Sequence, residues 1–296
     1  MAGAIELRLP YLTPCDVAGL ARFFAARAVP GVEQVDGDTY LRSVRLPSGP
    51  GVVAVRAGED DHVEATLRLT DPGDLDEAVA ACRRLLDLDT DPAPIVEALG
   101  GDGLIGTIVR GTPGRRVPGV VDPDELAVRA VLGQQVSLAG AATLAARLVK
   151  AYGEPLEHPV GAVTHLFPSA AALAGADPDE LAMPWSRRRA LIGLAAALAD
   201  REVVLDTAAM PLDEIERRLL ALPGIGPWTA AYIAMRALRD ADAFMPTDLG
   251  VRRGLERLGR DGGPAGACAV AEGWRPYRAY ATQHLWAQLA LPSHSA

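Results

Sequence analysis

The sequence has few cysteines, and their spacing excludes two kinds of site. Cys15, Cys82 and Cys268 are widely separated along a chain of 296 residues. An odd number of cysteines at this spacing fits neither a disulfide framework nor the close ligand spacing of a zinc or iron–sulfur site. We therefore expect a cytoplasmic protein with no iron–sulfur cluster or other cofactor cluster.

Long apolar runs are also missing. The longest uninterrupted apolar stretch lies near residues 194–199, whereas a helix needs about 20 apolar residues to cross a bilayer. Residues 1–11 include Glu6 and Arg8 and show no sustained apolar run, so no signal peptide is expected. The sequence predicts a soluble protein with no membrane partner.

Lysine is nearly absent, and the charge is unevenly distributed. Lys150 is the single lysine, and the formal net charge is −9. Taken as a sum, this charge argues against a nucleic-acid partner. However, acidic side chains outnumber basic ones in residues 1–120, and basic ones outnumber acidic ones in residues 227–296. Any surface that faces phosphate is therefore expected toward the C-terminus.

The hydrophobic periodicity predicts a mixed first part and a helical second part. Residues 16–29 and 74–86 have apolar side chains at helical spacing. Three segments alternate or are β-branched, which predicts strands at 39–46, 51–56 and 62–69. After a Pro- and Asp-rich passage at 87–94, helices are predicted at 124–135, 138–152, 168–173, 178–182, 186–200, 212–222, 227–238, 250–258 and 277–289. N-caps are expected before or at the start of four of them, at Asp122, Ser169, Asp177 and Ser186.

The turn between the predicted helices 212–222 and 227–238 is the most informative segment. It reads Pro-Gly-Ile-Gly from residue 223, and Pro227 opens the next helix at a first-turn position. Gly224 and Gly226 allow a tight turn that exposes backbone N–H groups at a helix N-terminus, where the dipole favours an anion. A DNA phosphate fits such a turn. Taken alone, the pattern is equally compatible with a tight corner in a helical core.

This turn and a later aspartate resemble the signature of the helix-hairpin-helix (HhH-GPD) DNA glycosylases. The two parts read LPGIGPWTA and FMPTDLG, and the aspartate is Asp248, 22 residues after Gly226. Further stretches resemble the bacterial 3-methyladenine DNA glycosylase II type, in order along nearly the whole chain: FAARAV from residue 24, RRVPG from 115, VRAVLGQQVS from 128 and WRPYRAYATQHLW from 274.

The resemblance implies an α+β fold. An N-terminal mixed α/β domain with an antiparallel sheet is expected over residues 1–94, followed by a mostly α-helical module over 95–296. The module is expected to form two subdomains with the active-site cleft between them. The middle bundle is placed at about 123–240, and the second bundle at about 97–122 together with 241–296.

By the same resemblance, Asp248 is the catalytic residue. A carboxylate near the anomeric carbon can stabilise oxocarbenium character and orient or deprotonate water when an N-glycosidic bond breaks. An aspartate before Leu249 and Gly250 is also a good helix N-cap, and without the hairpin that interpretation alone would be preferred. Related lyases carry a lysine in the helix after the hairpin. That helix has none here, so base removal without strand cleavage is expected.

Half of the fourteen aromatic residues follow residue 227. Trp228 and Tyr232 are four residues apart and share a helix face. In the resembling family this face lines an electron-rich pocket for a flipped base, and a cationic alkylated purine is attracted to such rings. The expected pocket residues are Trp228, Tyr232, Tyr277, Phe23, Phe24 and Leu249. Core positions are expected for Trp274, Trp286 and Phe244.

The resemblance also implies a DNA-binding set and a cation. Gln135 stands where the family has a large aliphatic wedge, and it can fill the gap left by a flipped base and hydrogen-bond the orphaned partner. The expected DNA-binding residues are Gln134, Gln135, Gly224, Ile225, Gly226 and Thr229. The backbone carbonyls expected to hold a structural monovalent cation are those of Leu220, Leu222 and Ile225.

Together these features predict a monomeric glycosylase that excises 3-methyladenine and 7-methylguanine from double-stranded DNA in base-excision repair. Two alternatives stay open. A glycosylase for another lesion would act on uracil, hypoxanthine or 8-oxoguanine. A non-catalytic helix-hairpin-helix protein would only bind DNA or sense damage.

Overall fold

A five-stranded antiparallel sheet organises the first part of the chain. The structure, a computed structural model, describes residues 3–290. The strands in spatial order are β1 (Ile5–Pro10), β5 (His62–Leu69), β4 (Gly49–Ala57), β3 (Thr39–Leu46) and β2 (Glu33–Asp36). In β5 the side chains of Val63, Ala65 and Leu67 are buried, as expected for a strand with one covered face. The antiparallel sheet is therefore confirmed, with two edge strands that were not predicted.

Two helices cover this sheet and fix the position of one wall of the site. These are α1 (Val17–Ala25) and α2 (Leu75–Leu86), and both contribute buried side chains to the sheet's hydrophobic core. The side chain of Asp16 caps α1 by accepting a hydrogen bond of 2.8 Å from the N–H of Gly19. Phe24 packs into the core, which leaves the adjacent Phe23 half-buried at its edge.

The rest of the described chain is mostly helical. Its helices are α3 (Ala93–Gly100), α4 (Gly106–Gly111), α5 (Pro123–Leu132), α6 (Leu138–Tyr152), α7 (Ala170–Ala174), α8 (Trp185–Ala199), α9 (Leu212–Ala221), α10 (Pro227–Arg236), α11 (Leu249–Arg257), α12 (Pro264–Ala271) and α13 (Arg278–Ala290). Short 3₁₀ helices occur at Pro72–Asp74, Pro178–Glu180 and Glu272–Trp274. Within residues 3–290, no helix combines the length and apolarity needed to cross a membrane.

These helices form two hydrophobic cores. One core joins α5, α6, α8, α9 and α10 and includes Val131, Leu191 and Ile233. The other joins α3 and α4 to α11, α12 and α13 and includes Leu99 and Leu285. Helix α10 contributes side chains to both cores and therefore lies at the boundary between them. Side chains of α10 that point along this boundary face a cleft. The two separate cores divide the helical module into two bundles.

Several local predictions were wrong. A β-hairpin of β6 (Glu154–Val160) and β7 (Val163–Leu166) interrupts the part predicted to be helical, and α3, α4 and α12 were not predicted. Ser186 is not an N-cap, because α8 begins at Trp185 after Pro184. In contrast, Asp122 caps α5 by accepting hydrogen bonds from the N–H groups of residues 124 and 125. Ser169 and Asp177 also cap the helices that follow them.

A buried ion-pair network joins the sheet to the helical part beside the cleft. The guanidinium of Arg42 in β3 lies 2.6 Å from Glu125 in α5, and Arg129 lies 3.0 Å from Glu33 and 2.8 Å from Glu125. The hydroxyl of Tyr40 donates a 2.5 Å hydrogen bond to Glu33. Because these charges are paired across the boundary, they hold the sheet against α5.

Candidate active site

Asp248 is held by three hydrogen bonds at the start of α11. Its Oδ1 atom accepts from the N–H of Val251 at 2.9 Å, which makes Asp248 the N-cap of the helix. The same oxygen accepts from the indole Nε1 of Trp286 at 2.8 Å, and Oδ2 accepts from the indole Nε1 of Trp228 at 3.0 Å. The helix and two indoles therefore fix the orientation of one half-buried carboxylate.

The carboxylate lies in a large cavity between the sheet domain and the two helical cores. The cavity has a volume of about 1920 Å³. Side chains from α1, α10, α11 and α13 line it, including Phe23, Trp228, Tyr232, Asp248 and Trp286. Segments distant in sequence thus meet at one carboxylate, as is typical of a binding site at a domain boundary.

Aromatic rings form one wall of this cavity. The rings of Trp228 and Tyr232 stack with centroids 5.3 Å apart and an interplanar angle of 8°, as their spacing on α10 predicts. Trp286 lies 6.4 Å from Tyr232 at 42° and 6.4 Å from Phe23 at 19°. The wall can contact a planar aromatic ligand through ring faces and edges.

Two guanidinium groups lie against the same rings. Arg27 lies 3.7 Å from the ring centroid of Phe23, and Arg236 lies 4.7 Å from that centroid and 5.7 Å from that of Tyr232. Arg236 also donates a 2.8 Å hydrogen bond to the hydroxyl of Tyr232. Burial raises the pKa of Tyr232, but the positive charges of Arg236, Arg27 and Arg129 outweigh burial and lower it from its ordinary value. This side of the cavity is therefore positively charged.

The glycine turn between α9 and α10 forms a tight hairpin. Gly224 has φ +86°, and a Cβ at this position would lie 2.6 Å from the Cβ of Ala190 in α8. Both the backbone conformation and the close approach of α8 require glycine here. Gly226 is the N-cap residue of α10, and Pro227 occupies the first turn. The hairpin therefore presents the N-terminus of α10 at the surface, which suits an anion.

Comparisons with known proteins agree with this geometry. The profile of the AlkA N-terminal domain matches residues 6–122, and that of the HhH-GPD superfamily of base excision DNA repair proteins matches residues 128–270. The DNA-3-methyladenine glycosylase 2 of Escherichia coli is 35% identical over 285 residues, which are 94% of this chain and 95% of that protein. The chain belongs to the AlkA family of HhH-GPD proteins.

Two further similarities concern length and fold. A probable bifunctional transcriptional activator/DNA repair enzyme AlkA of Mycobacterium tuberculosis is 49% identical over 291 residues, which cover 98% of this chain and 58% of that protein. The chain thus spans little more than half the length of that relative. The structure of a 3-methyladenine DNA-glycosylase from Archaeoglobus fulgidus superposes with a TM-score of 0.80 at 20% identity, covering 95% of this chain and 97% of that one. This last likeness shows the fold.

Two aromatic residues of this AlkA-family chain lie elsewhere than expected. Trp286, expected in the core, lines the cavity and donates to Asp248. Tyr277, expected in the pocket, does not line the cavity and packs edge-on against Tyr280 with centroids 6.3 Å apart. Trp286 lies nine positions after Tyr277, the residue that directly precedes α13. At about 100° per residue, they fall on opposite sides of the helix.

The other expected pocket residues differ in how far they reach the cavity. Phe23 and Leu249 line it, and Leu249 is 55% exposed at its mouth. Phe24 also borders the cavity, but it is 4% exposed and stacks on Tyr40 at 4.8 Å, so it belongs mainly to the core of the sheet domain. The first domain therefore contributes its wall chiefly through Phe23.

Gly250 contributes to the site by having no side chain, and sequence reasoning did not single it out. A Cβ at Gly250 would lie 2.6 Å from Cδ1 of Trp286 and 3.0 Å from Oδ1 of Asp248. Glycine has a low helix propensity, so its presence in the first turn of α11 was the one sequence feature that could have indicated a special role for this position. Its absence of a side chain allows the indole of Trp286 to reach the carboxylate.

The expected DNA-binding residues fall into two groups. Gln135 and Gly224 are exposed, and Gln135 has φ +55° directly after α5. Thr229 and Ile225 are buried, at 2% and 5% exposure, so their side chains do not face solvent. The side chain of Gln134 points inward. Its Nε2 donates to the carbonyl of Gly224 and to Oγ1 of Thr229, both at 3.0 Å, and thereby fixes the end of α5 to the hairpin.

Proposed function

We propose that the protein is a DNA glycosylase that removes alkylated purines, chiefly 3-methyladenine and 7-methylguanine, from double-stranded DNA in base-excision repair. The observation that carries this proposal is the carboxylate of Asp248, fixed between two indoles in an aromatic-walled cavity. The name of the E. coli relative agrees with the substrate class. Alkylation at N3 or N7 makes the base cationic, and a cation over an aromatic face gains about 0.5–2 kcal/mol.

Asp248 is assigned to the hydrolytic step. The N-glycosidic bond breaks with both electrons going to the base nitrogen, and C1′ of the sugar becomes positively charged. Asp248 stabilises this charge and orients a water molecule, whose oxygen bonds to C1′ while one of its protons passes to the carboxylate. The products are the free base and an abasic site. Trp228 and Trp286 hold the two carboxylate oxygens during this step.

The cavity receives the base after it leaves the helical stack. A base inside a duplex is inaccessible to Asp248, so the nucleotide must rotate out into the cavity. Gln135, exposed at the cavity rim, is assigned to the gap in the duplex, where its amide can hydrogen-bond the unpaired partner base. Val136 and Leu138 follow it with exposed fractions of 37% and 49%, which adds apolar surface next to the gap.

The hairpin is assigned to the DNA backbone. Its N–H groups at the start of α10 suit a phosphate, so binding does not require a strongly basic protein. The carbonyls of Leu220, Leu222 and Ile225 would hold a structural monovalent cation against that phosphate. The N–H of Ile225 donates to the carbonyl of Leu222 at 3.1 Å, and a carbonyl oxygen retains a second lone pair for a cation. The cation would neutralise phosphate charge and take no part in the chemistry.

We also propose that the enzyme is monofunctional and acts as a monomer. A lyase needs an amine nucleophile to form a Schiff base with the sugar. The sequence of α10 contains no lysine, and the single lysine, Lys150, is exposed near the end of α6.

Product analysis tests the proposal. Methylated duplex DNA is incubated with the protein, released bases are separated by chromatography, and strand breaks are scored before and after alkali. We expect free 3-methyladenine and 7-methylguanine, breaks only after alkali and no adduct after borohydride treatment. Release of uracil, hypoxanthine or 8-oxoguanine with no release from methylated DNA would show that the enzyme acts on a different lesion. DNA binding with no base release would make the protein a non-catalytic binder.

A further inference from the structure

Arg27 is a half-buried cation that forms no salt bridge with a carboxylate of residues 3–290. Burial lowers the pKa of Arg27 to about 10. The titratable groups that act on it are Tyr232, Arg236 and Arg129. The side chain of Arg27 donates a 3.2 Å hydrogen bond to the carbonyl of Phe23, and a hydrogen bond with Tyr232 also supports its charged form. A guanidinium has five N–H donors, so Arg27 retains donors without an acceptor among residues 3–290. The remaining donors open onto the cavity, where a bound ligand can accept from them.

The nearby Arg236 differs from Arg27 in its hydrogen bonding. Arg236 donates to the carbonyls of Pro118 and Gly119 and to the hydroxyl of Tyr232, so its hydrogen-bonding groups have partners within the protein. This arrangement is typical of a structural arginine. Arg27 lines the same cavity as Arg236, 3.7 Å from the centroid of Phe23 and 6.0 Å from that of Trp286, but it has donors that no group in residues 3–290 accepts. Its free donors are therefore next to the rings that would contact a flipped base.

The charge on the departing base depends on the lesion. When the bond between C1′ and N9 breaks, its electron pair goes to N9. A neutral base such as hypoxanthine then leaves as an anion and takes a proton from water afterwards. A 7-methylguanine base already carries a positive charge and leaves as a neutral molecule. Fixed N–H donors stabilise developing negative charge, whereas a guanidinium repels a cationic base.

We propose that Arg27 is a specificity-determining residue that favours bases leaving as anions over bases that are cationic before they leave. This assignment rests on the proposed glycosylase function and refines it. The aromatic wall attracts alkylated purines, while Arg27 supports the release of neutral purines whose poorer leaving group needs charge stabilisation. The ratio of the two activities is then set by one residue of α1's C-terminal loop.

Single-turnover base release from two duplexes of identical sequence, one with hypoxanthine and one with 7-methylguanine, tests the proposal. The proteins are the wild type, Arg27→Gln, Arg27→Lys and the control Arg56→Gln, which removes an exposed arginine paired with Glu64 on the sheet. Thermal unfolding and DNA binding are measured for each variant. These measurements identify any loss of fold before the rate constants are compared.

We expect Arg27→Gln to lower the hypoxanthine rate constant by about 10- to 100-fold. The 7-methylguanine rate constant should change by less than about threefold, because no anion forms. Arg27→Lys should restore part of the hypoxanthine activity, since it keeps the charge, and Arg56→Gln should match the wild type. Equal losses on both lesions, or a wild type that releases 7-methylguanine and leaves hypoxanthine in place, would overturn the role of Arg27. A wild type that releases neither base would instead refute the glycosylase function.

Discussion

The indole nitrogen of Trp286 lies 2.8 Å from Oδ1 of Asp248, and the same indole forms part of the cavity wall. One side chain thereby connects the wall assigned to the base with the carboxylate assigned to the chemistry. Trp228 makes the matching bond to Oδ2 at 3.0 Å. A planar ligand that moves either ring would also move the carboxylate, so the proposed function predicts that base binding and hydrolysis are coupled at these two tryptophans.

The variant Trp286→Phe tests the hydrogen bond to Asp248 separately from the aromatic contact of the ring. The variant keeps an aromatic face but removes the donor to Asp248, and a hydrogen bond to a charged group is worth about 1.5–3 kcal/mol. We expect the single-turnover rate constant on methylated DNA to fall by about 10- to 100-fold with little change in DNA affinity. Trp185→Phe is the matched control, because Trp185 is 56% exposed on α8. Equal activity of Trp286→Phe and the control would show that the bond is dispensable.

Gly250→Ala should damage the site and spare the fold. Alanine is favoured over glycine in a helix by about 1 kcal/mol, but its Cβ would lie 2.6 Å from the indole of Trp286. We expect base release to fall by about tenfold or more, since the indole must move away from Asp248. Gly193→Ala in α8 is the control, because no atom lies within 4 Å of a Cβ there. Its activity should be unchanged, and full activity of Gly250→Ala would contradict this account of the site.

Gly224→Ala should weaken both stability and DNA binding. The residue has φ +86°, and its Cβ would lie 2.6 Å from that of Ala190, so backbone and packing both oppose a side chain. We expect the free energy of unfolding in urea to decrease by about 1–3 kcal/mol. Gly226→Ala has open space around its Cβ and serves as the comparison for stability. If the two variants unfold at the same urea concentration, the hairpin does not depend on the conformation of Gly224.

The network around Glu33 predicts acid sensitivity. Burial would raise the pKa of Glu33, but Arg129 and Arg42 outweigh burial and hold it below its ordinary value of 4.5. A lowered pKa contributes stability that is fully present above pH 4.5 and is lost as the pH falls through the lowered value. At pH 7, Glu33→Gln should cost about 3 kcal/mol, because it leaves buried arginines less well paired.

The difference in unfolding free energy between the wild type and Glu33→Gln should shrink as the pH falls from 5 toward 3. Urea unfolding at several pH values measures it. The exposed pair of Glu154 and Arg45, at 2.8 Å, provides the control Glu154→Gln, which should change stability by less than about 1 kcal/mol. A difference for Glu33→Gln that stays constant with pH would exclude titration of this carboxylate as its cause.

Sequence patterns predicted the elements whose periodicity is strong. The strand Thr39–Leu46 and the helix Leu138–Tyr152 begin and end where their patterns do. The strand Ile5–Pro10 alternates apolar and polar residues from Ile5 to Leu9, so the sequence carried a strand signal there that the prediction overlooked. The hairpin of β6 and β7 was missed because a bulge and two prolines interrupt its pattern. Local patterns do not encode such edge pairings, which depend on tertiary contacts.

The candidate site was predictable where one helix carries its residues. Trp228 and Tyr232 share a face of α10, and their spacing alone predicts the stack that the structure shows. The contact of Trp286 with Asp248 joins residues 38 positions apart, and no local pattern distinguishes it from a buried core tryptophan. Arg27 and Phe23 reach the cavity from the first domain. Their place depends on how the sheet packs against α5, which spacing does not reveal.

The role of Asp248 is the central claim, and Asp248→Asn tests it most directly. Asparagine is also a good N-cap, so the helix and the fold should persist. Base release from methylated duplex DNA, followed by chromatography under single-turnover conditions, should fall by at least about 100-fold, while salt-sensitive DNA binding remains. Asp261→Asn, at an exposed turn, should behave as the wild type. Undiminished base release by Asp248→Asn would remove this carboxylate from the mechanism.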